Sequence, residues 1–106
     1  MISFKKRFPD NDAIWIYSNP TIAQKKAFEL YGPEAILHRS NTKNKKYCIE
    51  TPEGKIINFG QMGFFDFTRT NDELKRSNYL HRTSKIKGDW RSNKYSPNNL
   101  SRSILW

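Results

Sequence analysis

A four-residue turn between two β-prone segments is the feature that most constrains this chain. The turn is Thr51-Pro52-Glu53-Gly54, in which Pro52 fixes φ and Gly54 allows a positive φ. The segments on either side, residues 46–50 and 55–59, are rich in isoleucine and aromatic residues, which favour strands. The sequence therefore predicts a β-hairpin over about residues 46–59, against which the rest of the chain must pack.

Three helices are predicted, each from the residues that would cap it. The first is predicted to begin at Asn19-Pro20 and to end at Gly32-Pro33. The second is predicted to begin at the capping box Thr70-Asn71-Asp72-Glu73 and to run to about Lys87. The third follows Ser96-Pro97 and covers residues 98–106. In the third helix Leu100, Ile104 and Leu105 fall on one side, so we expect that side to be buried.

Two further short apolar runs are predicted to be strands. Residues 13–17 are expected to form a buried strand and residues 35–37 a second one, whereas the polar stretch 40–46 has nothing to bury and is predicted to be a loop. The regular alternation that a parallel sheet needs is missing. We therefore predict an α+β fold with a small antiparallel sheet built on the hairpin, about three short helices, and one small domain over residues 1–106.

Gly60 and Gly63 precede a group of aromatic residues and suit a tight bend of the backbone. Only 36% of the residues are hydrophobic, and fifteen are aromatic, so rings must supply much of the buried area. We expect the rings of this region to pack in the core rather than to form an exposed stacking platform. These rings are Phe59, Phe64, Phe65 and Phe67.

The composition excludes several classes of protein. Cys48 is the single cysteine, which rules out an internal disulfide and a multi-cysteine zinc site. No stretch approaches the roughly 20 apolar residues of a membrane span, and the first seven residues lack a hydrophobic signal core, so we expect a soluble, unsecreted chain. Nineteen basic residues against ten acidic ones give a net charge of +9, which favours an anionic partner.

Two arrangements of residues suggest catalysis. Asp10 with Glu53 and Lys55 resembles the carboxylates and lysine of metal-dependent nucleases, but the predicted turn puts Glu53 and Lys55 at an exposed tip. The second arrangement is a cysteine nucleophile with a histidine base and an orienting carboxylate. The spacing of the residues that could form it does not support it; they are Cys48, His38, His81 and Asp66. We therefore expect no catalytic residues, no metal site and no cofactor.

The C-terminal third carries most of the excess positive charge. Residues 69–106 hold nine basic residues and three acidic ones. One face of the second predicted helix carries a mostly basic row, made of Lys75, Asn78, Arg82 and Lys85. Such a row can follow a phosphate backbone, bind acidic side chains of another protein, or simply be a solvated face.

A pattern of glycine, aromatic and charged residues runs through residues 47–106. It consists of Phe59-Gly60, Gly63, Asp66-Phe67-Thr68, Asp72, Tyr79, Arg82, Trp90, Leu100-Ser101 and Leu105-Trp106. This pattern resembles that of a family of small basic proteins encoded by large nucleocytoplasmic DNA viruses. The resemblance implies a virus-encoded, non-catalytic component that serves either the architecture of the virion or its genome.

We therefore predict a minor capsid-associated protein that binds other capsid proteins, in the virion and, during assembly, in the host cytoplasm. The residues predicted to bind the partner are five cations and two aromatic anchors: Lys75, Arg76, Arg82, Lys85, Arg91, Trp90 and Trp106. The first alternative is a sequence-independent nucleic-acid-binding protein that contacts DNA or RNA phosphates through the same cations. The second, more distant alternative is the metal-dependent nuclease.

Overall fold

A three-stranded antiparallel sheet lies at the centre of residues 2–106, the part of the chain that the computed structural model describes. The strands occur in the spatial order β1-β2-β3 and span Leu37–Arg39, Lys45–Glu50 and Ile56–Gln61. In the hairpin Tyr47 lies opposite Phe59. The predicted α+β class and the hairpin at about residues 46–59 are confirmed.

Six α-helices and one π-helical turn accompany the sheet within the described residues. They are α1 (Phe4–Arg7), α2 (Ile14–Tyr17), α3 (Pro20–Tyr31), α4 (Phe67–Thr70), α5 (Glu73–Ser84), α6 (Pro97–Leu100) and the π-turn (Ser101–Leu105). Only α3 and α5 are long, with 12 residues each. The prediction of about three helices missed the single-turn helices α1, α2 and α4, because four residues are too few to show a helical period. No helix in residues 2–106 has the length and apolar character needed to cross a bilayer.

The prediction of a buried strand over residues 13–17 is wrong, since α2 occupies this segment. Asp12 accepts a hydrogen bond from the backbone amide of Ile14 at 2.9 Å, and the amide of Ser18 donates to the carbonyl of Ile14. Ile14 is buried while Ile16 is exposed. A short apolar run fits a strand or a helix equally well, and here the Asp12 carboxylate selects the helix by satisfying an amide of its first turn.

The start and the end of α5 also differ from the prediction. Its N-cap is Asp72, which accepts hydrogen bonds from the amides of Leu74 and Lys75, while Thr70 ends α4. The capping box therefore does not form, and α5 ends at Ser84, before the predicted Lys87. Asn71 and Asp72 separate the two helices, and the left-handed conformation of Asn71, with φ of 53°, lets the chain turn between them.

Smaller shifts affect the first two strands. The strand predicted at residues 35–37 lies at Leu37–Arg39, and β2 begins at Lys45, inside the segment 40–46 that was predicted to be a loop. Lys46, which the predicted loop and the predicted hairpin both included, is a strand residue, and its full burial was not predicted.

The core is built from rings of the sheet and aliphatic side chains of the helices. Tyr47 and Phe59 stack with ring centroids 5.7 Å apart, and Phe8 meets Tyr47 edge-on at 5.6 Å. On the C-terminal segment Leu100 and Ile104 are buried, and so is Leu105, as predicted. Burial of such side chains is the main source of folding free energy in a chain of this size.

Two of the rings predicted to be core are exposed. Phe59 is buried, but Phe64 is 66% exposed and Phe65 is 48% exposed. The loop between β3 and α4 is tied inward through its backbone, because the carbonyl of Phe64 accepts a hydrogen bond from Lys46 and the amide of Asp66 donates to the carbonyl of Tyr17. With the polar backbone turned inward, the two rings are left at the surface.

Candidate functional site

A buried ion pair joins β2 to the start of α4. The Nζ atom of Lys46 lies 2.9 Å from Oδ2 of Asp66 and donates a second hydrogen bond, 2.7 Å long, to the carbonyl oxygen of Phe64. The two charged side chains are only 3% and 1% exposed. Loss of hydration lowers the pKa of Lys46, and the carboxylate of Asp66 acts in the opposite direction. The pair thus holds the loop that carries Phe64.

Hydroxyl groups extend this pair into a buried network. Asp66 caps α4 by accepting hydrogen bonds from the amide of Thr68, at 3.0 Å, and from its hydroxyl. The same Thr68 oxygen accepts from the amide of Asn19 at 2.8 Å and lies 3.1 Å from the hydroxyl of Ser18. The hydroxyl of Ser18 in turn lies 2.7 Å from the hydroxyl of Tyr47. Burial raises the pKa of Tyr47. The network joins the start of α3 and β2 to α4.

A groove of about 310 Å³ lies beside this network. It is bounded by the end of β3 and the loop after it, by α5, and by the C-terminal π-turn and the residue after it. The side chains that give it its character are Phe64, Phe65, Tyr79, Arg82, Leu105 and Trp106. Rings therefore dominate its lining, and Arg82 and Lys46 are its cations.

Gly60 makes the inner part of the groove closely packed. Its φ is +81°, and a Cβ atom there would lie 2.9 Å from Cδ1 of Leu105 and 3.1 Å from Cβ of Lys46. Only glycine adopts this backbone without strain and leaves room for both neighbours. Gly60 is therefore required where the sheet meets the C-terminal segment.

Trp106 is held against α5 by two contacts. Its ring stacks on Tyr79 with centroids 4.2 Å apart and planes 9° apart, and its carbonyl oxygen accepts a 2.6 Å hydrogen bond from Nε of Arg76. Arg82 lies on the same helix, with its guanidinium carbon 5.6 Å from the centroid of the Tyr79 ring. Burial raises the pKa of Tyr79, so its hydroxyl stays neutral at ordinary pH.

The predicted basic row lies at the surface. Lys75, Arg82 and Lys85 are all exposed, as is Asn78 between them, and only Arg82 lines the groove. Within residues 2–106 none of the three cations forms an ion pair with a carboxylate. Arg76 differs from them, because its side chain is partly covered and contacts the carbonyl of Trp106.

Trp90 is not the exposed aromatic anchor that the sequence predicted. It is only 9% exposed, and its indole nitrogen donates a 2.9 Å hydrogen bond to the carbonyl of Ile86. The guanidinium carbons of Arg91 and Arg102 lie 4.1 and 5.3 Å from its ring. The indole therefore orders the segment after α5. Arg91 remains at the surface, where it also donates to the carbonyl of Ser84.

The residues of the nuclease alternative are exposed and belong to separate loops. Asp10 precedes α2, whereas Glu53 and Lys55 flank the tip of the hairpin, as the sequence predicted. Across residues 2–106 no group of three or more His, Cys, Asp and Glu side chains is arranged to hold a metal ion.

The residues considered for thiol chemistry are only partly brought together. Cys48 pairs with His38 across β1 and β2, but Asp66 is engaged with Lys46, and His81 is exposed on α5. Cys48 is half-buried, and burial raises the pKa of its thiol, which disfavours the reactive thiolate.

Sequence reasoning missed the role of four residues of the site. It did not pair Lys46 with Asp66, and it expected the rings of Phe64 and Phe65 to be buried. One signal was present, because aspartate is a preferred helix N-cap residue and Asp66 directly precedes α4. The burial of Lys46 had no local signal.

One family model matches the chain, over residues 35–83, and it is described as a family of unknown function (DUF5754). The matched part is somewhat less than half of the 106 residues and includes all three strands, the buried pair and most of α5. No curated protein and no solved structure matches the chain. The virion association expected from the sequence therefore stays a prediction.

Proposed function

We propose that this chain is a non-enzymatic interaction protein that binds a partner protein through the groove and the basic row beside it, Lys75, Arg82 and Lys85. The observation that carries the proposal is the exposure of Phe64 and Phe65 at a groove that also contains Arg82 and Trp106. Aromatic residues and arginine are the side chains that dominate the binding energy of protein interfaces. Two large adjacent rings in water are also unfavourable unless a partner covers them.

The partner we propose is a capsid protein of a large DNA virus, so that the chain acts as a minor component of the virion. The support for this identity is the resemblance of residues 47–106 to small basic viral proteins. In this proposal the chain is located in the virion and, before that, in the host cytoplasm in which particles assemble.

Incorporation into particles tests both parts of this proposal. We expect quantitative mass spectrometry to find the wild-type chain in purified particles and to find the double variant Phe64→Ser/Phe65→Ser at a much lower level. The control is Phe28→Ser, which removes an exposed ring from α3, away from the groove. Absence of the wild-type chain would contradict the virion role, and equal incorporation of the double variant would contradict the assigned surface.

Nucleic-acid binding is the second candidate, and the exposed basic row favours it. Cations without carboxylate partners can replace the counterions of a phosphate backbone, which makes affinity fall steeply with salt. Binding to generic duplex and single-stranded DNA should be measured from low to physiological salt. A triple variant, Lys75→Ala/Arg82→Ala/Lys85→Ala, should weaken this binding far more than a control that removes three exposed lysines elsewhere, Lys25, Lys43 and Lys55.

Each outcome of the DNA experiment decides between the candidates. Lack of binding at low salt would remove the nucleic-acid candidate and leave the protein interface. Cleavage of DNA that requires Mg²⁺ and disappears in Glu53→Ala would overturn both, because it would establish the nuclease.

A further inference from the structure

The volume of the groove limits what can enter it. About 310 Å³ is at the lower end of the range of roughly 300–1,000 Å³ that is typical of ligand pockets. This space accommodates one or two side chains of a partner. The occupant of the groove itself is therefore a short segment, even if a larger surface surrounds it.

The chemistry of the lining favours a ring in the occupant. Phe64 and Phe65 line the groove with exposed rings, and the stacked rings of Tyr79 and Trp106 line it as well. Aromatic rings pack favourably on one another in tilted and offset arrangements. Arg82 also lines the groove, and its guanidinium group would attract the face of an aromatic ring bound there.

The charge of the groove favours carboxylates beside that ring. Arg82 is exposed in the lining, and Lys75 and Lys85 extend the positive charge along α5. No aspartate or glutamate lines the groove, and the charge of Lys46 is already balanced by Asp66. A second copy of this chain would bring another net charge of +9 and be repelled, so an acidic partner is the better fit.

Contacts within the chain hold the groove in shape. The carbonyl of Phe64 is bound by Lys46, and the ring of Phe65 packs on Tyr17 with centroids 5.3 Å apart. Trp106 is held by the ring of Tyr79 and by Arg76. A binding surface that is already ordered loses less conformational entropy when it is occupied.

We infer that this groove binds one aromatic side chain of an acidic segment of the partner protein, with a neighbouring carboxylate on Arg82. The inference rests on the proposed function and specifies the chemistry that the partner must present. In this arrangement Lys46 is a positioning residue, because it holds the loop of Phe64 through the carbonyl of that residue and need not contact the bound side chain.

Three matched peptides test the inference against ¹⁵N-labelled full-length protein by NMR titration. They are acetyl-Asp-Glu-Phe-Asp-Glu-amide, the same peptide with alanine in place of phenylalanine, and acetyl-Asn-Gln-Phe-Asn-Gln-amide. We expect the first peptide to shift the indole NH of Trp106 and the amides of Phe64 and Phe65. Each of the other two should bind at least about tenfold more weakly, because one lacks the buried ring and the other lacks the charges. Arg82→Gln should remove the advantage of the acidic peptide, and Lys55→Gln should not.

Equal affinity for the three peptides, or shifts confined to another surface, would overturn the inference. So would a thymidine oligonucleotide that shifts the groove resonances when no peptide does, because the groove would then be a nucleic-acid site. If Phe64→Ser/Phe65→Ser is lost from particles and yet no peptide binds, the proposed function stands and this inference fails. If the acidic peptide binds but the wild-type chain is absent from particles, the virion role fails and the chemistry of the groove stands.

Discussion

Replacing Lys46 by methionine should destabilise the fold strongly, because it removes one half of a buried ion pair. Methionine fills much of the space of the lysine stem but cannot neutralise Asp66, whose side chain is 1% exposed. The carboxylate would keep its two hydrogen bonds from Thr68 and lose its only ionic partner among residues 2–106. Breaking such a pair typically costs about 3–5 kcal/mol, out of a total stability of roughly 5–15 kcal/mol for a domain.

A double variant separates the cost of the lone charge from the cost of lost packing. In Lys46→Met/Asp66→Asn no charge is left buried, and asparagine can still cap α4. The free energy of unfolding lost by the double variant should therefore be smaller than the sum of the two single losses, by at least about 1 kcal/mol.

Urea unfolding followed by tryptophan fluorescence measures these free energies by linear extrapolation. The matched control is Lys45→Met, which changes the neighbouring lysine of β2, a residue that forms no ion pair within the described chain. A loss of less than about 1 kcal/mol in Lys46→Met, or additive losses in the double variant, would refute the stabilising role of the pair.

Three further variants test other contacts. Gly60→Ala should lower the free energy of unfolding by about 2 kcal/mol or more, and clearly more than Gly63→Ala. Both glycines have a positive φ, but a Cβ atom added at Gly60 would lie 2.9 Å from Leu105, whereas one added at Gly63 would meet no atom within 4 Å; thermal unfolding of the two variants gives the comparison. Burial raises the pKa of Tyr47, so above pH 10.5 the unfolded chain loses this proton while the folded chain keeps it, and the free energy of unfolding should fall as the pH rises. The lowered pKa of Lys46 acts in the opposite direction only below pH 10.5. Urea unfolding at several pH values should show a shallower fall in Tyr47→Phe. Asp72→Ala should lower the free energy of unfolding by about 1 kcal/mol through loss of the α5 cap; no change in its urea midpoint would contradict that cap.

Elements with strong local signals were predicted well. The turn at Thr51–Gly54 and its flanking strands, the helix after Asn19, and the buried side of the last segment all follow from residues adjacent in the chain. Residues 13–17 were predicted wrongly because a five-residue apolar run carries no period that separates a strand from a helix.

The candidate site could be predicted only in part. The exposed cations Lys75, Arg82 and Lys85 were found from helical spacing, since that spacing is a property of one element. Trp90 is buried and Phe64 is exposed. Residue type could not predict this difference in burial, because both are aromatic residues in a chain with few aliphatic ones.

Composition and local pattern alone determined that this chain is basic, that it contains a hairpin, and that its second half carries a cationic helix. Only the tertiary structure decided that Lys46 meets Asp66, twenty residues later, and that their contact orders a loop with two exposed rings. The physical reason is that the free energy of a buried charge depends on partners brought from distant parts of the chain, whereas helix caps and turns depend on neighbours a few residues away.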